Sequence, residues 1–311
     1  MIITVTLNPA VDKTVEIGYF EVGKLNRISS VRLDAGGKGI NVSKVIMSLG
    51  GNSIATGILG GSTGSFIKQY LDNYEIENDF LRINTDTRTN LKVIDSIKKT
   101  TTDINEPGPK ITNEDLDVLA KKVLSYICND TVLVLSGSVP ANVDKAIYAK
   151  WITAAKAIGA KTILDADGEL LKNGIQAGPT IVKPNIHELE MLFGVEIDGM
   201  QSADKYARSL IEQNRIEVVA VSMGDKGALF LNKEHSIFAH GIKTEVKSTV
   251  GAGDAMVAAL AFCTDRGCDF EKSIRLATAA ATANVMVTGT QPADYSSIIE
   301  LESRVKLEYL Y

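Results

Sequence analysis

The chain is predicted to be an α/β protein: a mostly parallel sheet covered by helices on both faces, with a small second sheet projecting from it. Three observations carry this expectation. Short solid apolar runs alternate with amphipathic helical patterns along most of the length. Two segments break that rhythm and alternate with a period of two. Of the 311 residues, 45% are hydrophobic and 23% charged, enough apolar material for a sizeable core.

The runs read as strands are IITVTL (2–7), SIATGIL (53–59), TVLVLSG (131–137), KTILDA (161–166), TIVKP (180–184) and EVVAVSMG (217–224). Helices are expected between them. Val42, Val45, Ile46 and Leu49 share the face of one helix, which Gly50-Gly51 should end. Leu116, Leu119, Ala120, Val123, Leu124 and Ile127 line the face of another, with Thr112 and Asp115 offering a capping start. The period-two segments are TVEIGYF, with Val15, Ile17 and Tyr19 opposite Thr14, Glu16 and Gly18, and NLKVIDSI, with Leu91 and Val93 opposite Asn90 and Lys92. Half-exposed strands of this kind place residues about 12–35 and 87–106 in the projecting sheet, as a lid or a dimer surface. No repeat, low-complexity tract or linker divides the chain, so residues 1–311 are expected to form one domain.

A net charge of −5 and a pI near 5.4 argue against nucleic acid or a membrane surface as partner, since both are polyanions. Cys128, Cys263 and Cys268 are odd in number and lack a CxxC pair, so they read as thiols in a reducing compartment. His187, His235 and His240 do not pair at metal-site spacing, so structural zinc is not expected. The opening MIITVTLNPAVDKTVEI has no basic region before a long apolar run, and no stretch reaches 18 apolar residues. A cytoplasmic address is expected.

Ligands of open α/β sheets bind beyond the carboxyl ends of the strands, so the polar residues there matter most. Asp12 follows the first strand and the Asn8-Pro9 turn, and reads either as a turn aspartate or as an acceptor for substrate hydroxyls. In AGGKGIN, Gly36, Gly37 and Gly39 permit close backbone approach, Lys38 supplies positive charge and Asn41 points back from a helix start. VKPNIHELE places Lys183 at a strand end, and Asn185 three residues before Glu188. That pair is either a capping box or a carboxylate orienting magnesium on phosphates. In VSMGDKGALFL, Ser222, Gly224 and Gly227 form either a hairpin turn or the wall of a nucleotide pocket. In STVGAGD, Gly251, Ala252 and Gly253 present consecutive N–H groups at a helix start, where an anion is favoured. Asp254 is then a helix cap, or a base beside a transferring phosphoryl group.

Two other motifs compete. Gly18-x4-Gly23-Lys24 matches a P-loop until Leu25, where Ser or Thr is required, and it lies in an alternating segment, so it is rejected. Gly60-Gly61-Ser62-Thr63-Gly64 matches the nucleophile elbow of serine hydrolases, with one of the three histidines as nominal base.

Taken in order, LNPAVD, GGKGIN, TRTNLKV, VLSGSVP, VKPNIHELE, VSMGDKGA and STVGAGDAMV resemble the PfkB, or ribokinase-like, carbohydrate kinases over nearly the whole chain. The resemblance implies a Rossmann-like αβα sandwich with a small β-sheet lid, ATP as donor, magnesium as cofactor and a homodimer formed through the lid. By matching motif, it implies Asp254 as catalytic base and the Gly251-Ala252-Gly253 amides as anion hole. Asn185 and Glu188 would govern magnesium through water. Ser222 to Gly227 and Ser248 to Gly253, including Thr249, would form the ATP site with Lys183. Asp12, Gly37 and Asn41 would bind sugar, and Arg88 would reach over it.

TLNPAVD, Lys38 within the double-glycine motif, TRTNLKV and TDINEPGP resemble the phosphosugar branch of the family, that of the 1-phosphofructokinases. Lys38, Arg88 and Lys92, with Lys24 or Arg27, would together meet a phosphate dianion, and fructose 1-phosphate is the substrate implied. Tagatose 6-phosphate and fructose 6-phosphate are the alternatives within the family. Asp167, in DADGELL, departs from the serine usual at its place in related kinases. A non-catalytic sugar-phosphate sensor on the same fold is the remaining class; it would need neither Asp254 nor the Asn185–Glu188 pair.

Overall fold

The computed structural model describes residues 1–310; Tyr311 lies outside the described residues. In chain order the strands are β1 (Ile2–Thr6), β2 (Ala10–Ile17), β3 (Ile28–Gly36), β4 (Ser53–Gly60), β5 (Leu81–Ile83), β6 (Arg88–Asp95), β7 (Thr100–Asn105), β8 (Val132–Ser136), β9 (Lys161–Asp165), β10 (Ile181–Val182), β11 (Val218–Ser222), β12 (Gly227–Leu231), β13 (Ser236–His240) and β14 (Leu307–Tyr309). The helices are α1 (Lys38–Ser48), α2 (Gly61–Asn73), α3 (Asn113–Tyr126), α4 (Ile147–Ile158), α5 (Gly168–Gln176), α6 (Ile186–Phe193), α7 (Gly199–Asn214), α8 (Ala252–Arg266), α9 (Phe270–Val285) and α10 (Tyr295–Glu302).

The main sheet has ten strands in the order β14-β13-β12-β11-β10-β9-β8-β1-β4-β5. From β11 through β5 every pairing is parallel. Those strands are apolar on both sides because helices cover both faces. In β1, Ile3 and Val5 join the core with Leu119 and Trp151, while Ile2 joins the opposite core with Ile46 and Leu260. The strands β12, β13 and β14 extend the sheet as an antiparallel meander that the apolar-run reading did not foresee. One 3-10 turn, Gly224–Lys226, joins β11 to β12, and so short a link allows only antiparallel pairing.

Both helix ends marked in the sequence form as their chemistry dictates. The Thr112 hydroxyl accepts from the Asp115 N–H, and the Asp115 carboxylate accepts from the Thr112 N–H, closing a capping box at the start of α3. Helix α1 stops at Leu49, and Gly50 follows with φ of 75°.

A separate four-stranded sheet has the order β3-β2-β6-β7, with β2 and β6 parallel. β6 and β7 fall within the expected 87–106, while β2 begins at Ala10 and β3 ends at Gly36, just outside the expected 12–35. Register sets its two faces: Val15 pairs with Val31 and Val93, and Lys13 with Leu33 and Leu91, whereas Asp12 pairs with Asp34 and Asn90. Val15, Ile17 and Val93 are buried with Phe20 packed on them. Val31, Leu33 and Ile104 stand 54%, 44% and 53% exposed on that apolar side. Tyr19, expected on the same face, lies beyond the end of β2 and is half exposed, because pairing stops at Ile17 after an irregularity at Glu16.

Candidate active site

The carboxyl ends of β1, β8 and β9, the start of α8 and the polar side of the small sheet enclose a cavity of about 560 Å³. Strand ends and a helix start converge there because all the parallel strands point the same way. Asp12, Gly37, Lys38, Asn41, Arg88, Lys92, Lys183, Asn185, Glu188, Ser222, Gly251, Gly253 and Asp254 all line it. They are drawn from both ends of the chain and from its middle.

Asp254 lies in the first turn of α8 and is 6% exposed. Gly251 caps that helix in a left-handed conformation, φ 83°, a geometry that suits glycine. The first N–H groups of a helix have no intrahelical acceptor, so at this start they are available to an anion. Gly251 and Gly253 line the cavity and Ala252 does not. One Asp254 oxygen, Oδ2, accepts a hydrogen bond from Asn41 Nδ2 at 2.8 Å. Burial, followed by the charge of Asp165, pushes the Asp254 carboxyl up to about 6, against the pull of Lys38 and the Asn41 hydrogen bond. Asp254 is not the helix cap: Gly251 holds that position, and no side-chain cap bond is made.

Two lysines meet on one buried carboxylate. Asp165, at the end of β9, is fully buried, with Lys183 Nζ 3.1 Å from Oδ1 and Lys38 Nζ 3.3 Å from Oδ2. Ser136 also donates to Oδ2 at 3.1 Å. Burial alone would raise this carboxyl; Lys183 and then Lys38 outweigh it and hold it down to about 2. Asp165 in turn raises the affinity of Lys38 for its proton. The result is a pair of cations, fixed by an anion behind them, at the wall beside Asp254. Sequence reasoning missed Asp165, although it ends an apolar strand and the strand-end rule that marked Asp12 would have found it.

On the opposite wall Asp12 Oδ1 accepts from Asn90 Nδ2 at 3.1 Å, and burial raises its carboxyl. Arg88 donates to the Asn8 carbonyl and, from Nη1 at 2.9 Å, to the Glu106 carbonyl. Lys92 Nζ lies 3.7 Å from Asp103. The glycines of GGKG have a reason other than ligand approach. A Cβ on Gly37 would come within 2.7 Å of Thr6 Cγ2, one on Gly39 within 2.7 Å of the Val5 carbonyl oxygen, and one on Gly36 within 2.1 Å of Asp12 Oδ2. They let the start of α1 press onto β1, and that contact places Lys38 and Asn41.

Asn185 and Glu188 form the capping box of α6. Asn185 Oδ1 accepts from the Glu188 N–H at 2.9 Å, and Glu188 Oε2 accepts from the Asn185 N–H at 2.8 Å. Both side chains line the cavity as well, so the two readings of this pair are compatible. Burial raises the Glu188 carboxyl. Among the described residues no group of three or more His, Cys, Asp or Glu side chains could hold a metal by itself. The residues fit magnesium only as an ion whose shell is mostly phosphate oxygen and water, which is its common mode.

Several expected residues stand apart. Gly224 and Gly227 lie in the β11–β12 hairpin and do not line the cavity; a Cβ on Gly227 would meet the Ala239 carbonyl oxygen at 2.0 Å. Ser248 and Thr249 precede the turn at Gly251 and are also outside the lining. Asp167 does line it and is exposed. Ser62 is in the first turn of α2, away from the cavity, with its hydroxyl 3.5 Å from Asp86 Oδ1. His187 and His240 are engaged with Glu190 and Glu308.

A parallel α/β sheet whose carboxyl edge carries a helix start, fixed cations and a buried carboxylate defines a phosphotransferase acting on an alcohol. The chain belongs to the pfkB family of carbohydrate kinases, whose model matches residues 5–296. It is 35% identical over 312 residues to the 1-phosphofructokinase of Borreliella burgdorferi, covering 100% of this chain and 99% of that one. It is 33% identical over 263 residues to the tagatose-6-phosphate kinase of Staphylococcus epidermidis, covering 84% of each. Phosphofructokinase-2 from Escherichia coli in complex with fructose-6-phosphate superposes with a TM-score of 0.92 at 27% identity, over 97% of this chain and 98% of that one. The serine-hydrolase alternative is thereby overturned: the chain is a kinase, and Ser62 lies outside its polar cavity.

Proposed function

We propose that this protein transfers the γ-phosphoryl group of ATP to the 6-hydroxyl of fructose 1-phosphate, giving fructose 1,6-bisphosphate and ADP. The observation that carries this reading is Asp254, buried at the start of α8, sharing one cavity with Lys38, Lys183, Arg88 and Lys92. Two anionic substrates require cations on both sides of the reacting atoms, and this wall arrangement supplies them.

In this reading Asp254 accepts the proton of the 6-hydroxyl while that oxygen forms its bond to the γ-phosphorus. The bond to the β,γ-bridging oxygen breaks and ADP leaves. The N–H groups at Gly251, Ala252 and Gly253 take up charge growing on the equatorial oxygens. Lys183 and Lys38 stand against the phosphates, held by Asp165 so that little reorganisation is needed. Asp12 and Asn41 receive sugar hydroxyls, and Lys38, Arg88 and Lys92 neutralise the sugar phosphate. Asn185 and Glu188 are the residues that would hold magnesium, through water, and the ion would supply further neutralisation of the phosphate oxygens. Ser222 borders the nucleotide, and Ser248 and Thr249, which lead into the turn at Gly251, complete the ATP segment in this reading. The small sheet is a lid over the sugar that excludes water, and its apolar side pairs two protomers. A cytoplasmic location accords with a metabolic sugar kinase of this kind.

ADP release with MgATP, measured in parallel on fructose 1-phosphate, fructose 6-phosphate and tagatose 6-phosphate, tests the proposal. The expected result is the highest kcat/KM for fructose 1-phosphate. A preference for either 6-phosphate would overturn the substrate while leaving the Asp254 chemistry, and no turnover with any of them would leave a sensor.

A further inference from the structure

Lys44 is a charged residue with no part in the mechanism above, and it is 1% exposed. Three oxygens surround its ammonium: the Ala35 carbonyl at the end of β3, Asn41 Oδ1 at 3.4 Å and the Thr290 carbonyl at 3.3 Å. Nζ also lies 5.1 Å from the centroid of the Tyr70 ring. An ammonium has three N–H donors and no acceptor, so each donor has an oxygen to meet.

That geometry has a consequence for Asn41. An amide can be turned either way about its last torsion, and only its neighbours decide which end faces which. Because Lys44 can only donate, Asn41 must present its oxygen to Lys44. Its NH2 group then faces Asp254, where Nδ2 donates to Oδ2 at 2.8 Å. The opposite orientation would set an amide NH2 against an ammonium and an amide oxygen against a carboxylate, two repulsive contacts.

We propose that Lys44 is a positioning residue for phosphoryl transfer, fixing the Asn41 amide so that it donates to Asp254 and holds that carboxylate in place. The inference rests on the reading of Asp254 as the base. A structural tie alone would explain the Ala35 and Thr290 contacts, but any hydrogen-bonding side chain could serve there. Orienting the amide, by contrast, needs a neighbour that donates and cannot accept, and a protonated lysine is such a group. The groups facing Lys44 are Asp34 from β3, Asp12 from β2, Asp254 from α8 and the Tyr70 ring from α2. Those facing Asp254 are Asp165 from β9, Lys38 from α1 and Lys183 after β10. Burial pulls Lys44 down to about 8 despite the carboxylates near it, so above that pH a neutral amine with two N–H groups would leave one of the three oxygens unserved.

The test is the pH profile of kcat/KM with MgATP and fructose 1-phosphate for the wild type, Lys44→Met, Lys44→Arg and Asp254→Asn, with thermal melts of each. Lys44→Met is expected to move the acid limb upward by about one pH unit, since it removes both the cation and the amide's orientation. Lys44→Arg is expected to leave the acid limb near the wild-type position and to shift the alkaline decline upward, because a guanidinium stays charged. A folded Lys44→Met protein with an unmoved acid limb overturns the proposal, as does an arginine variant whose limb moves as far as the methionine variant's. Should Lys44→Met not fold, Lys44→Arg decides alone: an alkaline decline identical to wild type refutes the role. Absence of turnover in the wild type, or full turnover in Asp254→Asn, would instead refute the proposed function, a separate outcome.

Discussion

Asp254 is held in a state that costs stability, and the proposed role as base gives that state a use. Its carboxyl is raised to about 6 in the folded protein, above the ordinary carboxylate range. The folded state therefore binds this proton more tightly than the unfolded chain, so the destabilisation it causes grows as pH rises from about 4 to about 6 and stays constant above. Asp254→Asn should remove that cost and stabilise the protein at neutral pH by about 1–3 kcal/mol, read as a higher Tm. The same variant should lose about 10²–10⁴-fold in kcat. An Asp254→Asn protein that melts lower and still turns over normally would contradict both halves. In the wild type, kcat/KM should fall as pH drops through about 6, because Asp254, the proposed base, is then protonated. Asp165 has the opposite sign. Its carboxyl is held down to about 2 by Lys183 and Lys38 against the effect of burial, so it stabilises above the ordinary carboxylate range and loses that contribution as pH falls to about 2. Asp165→Asn leaves two lysines facing each other without their anion, and should cost on the order of 3–5 kcal/mol in a denaturant titration.

At the scale of elements, the start of α1 determines whether the two walls of the cavity meet. Gly37 has φ of 122° and no room for a Cβ against Thr6 and Pro9. Gly37→Ala should destabilise by roughly 1–3 kcal/mol from backbone strain alone, and should also lower activity by displacing Lys38 and Asn41. Helix α3 offers the contrasting case. Thr112→Ala removes one half of its capping box and should cost about 1 kcal/mol, with kcat unchanged, since α3 contributes nothing to the cavity lining. Parallel measurement of Tm and kcat for the two variants separates a residue that places the site from one that only holds a helix.

For the whole molecule, the small sheet presents opposite faces to opposite tasks. Asp12, Asn90 and Lys92 face the cavity, while Val31, Leu33 and Ile104 remain exposed on the other side. Apolar residues grouped on one face of a sheet are the expected mark of a partner surface. Val31→Glu combined with Leu33→Glu should convert a dimer into monomers in light scattering at micromolar concentration. A wild-type protein that is already monomeric there would overturn the proposed pairing.

Much of this was legible along the chain, and the limit is physical. Strands β1, β4, β8, β9 and β11 could be read because a strand buried on both faces must be apolar throughout, and the ends of α1 and α3 because caps are local chemistry. Two-residue periodicity located β2 and β6 of the small sheet for a related reason: one face is wet and the other dry. What sequence alone could not decide was contact between distant segments. The antiparallel meander β12–β14 depends on pairing partners, the GGKG glycines proved to be spaces for Thr6, Val5 and Asp12, and the Asn185–Glu188 pair is both a cap and a cavity wall. The strand-end position of Asp165 was a local signal, but its pairing was not, and Lys44 gave no local signal at all, since a buried charge is tolerated only by virtue of its partners. Those partners, Lys38 and Lys183 for one and Ala35, Asn41 and Thr290 for the other, are brought together only when the chain folds.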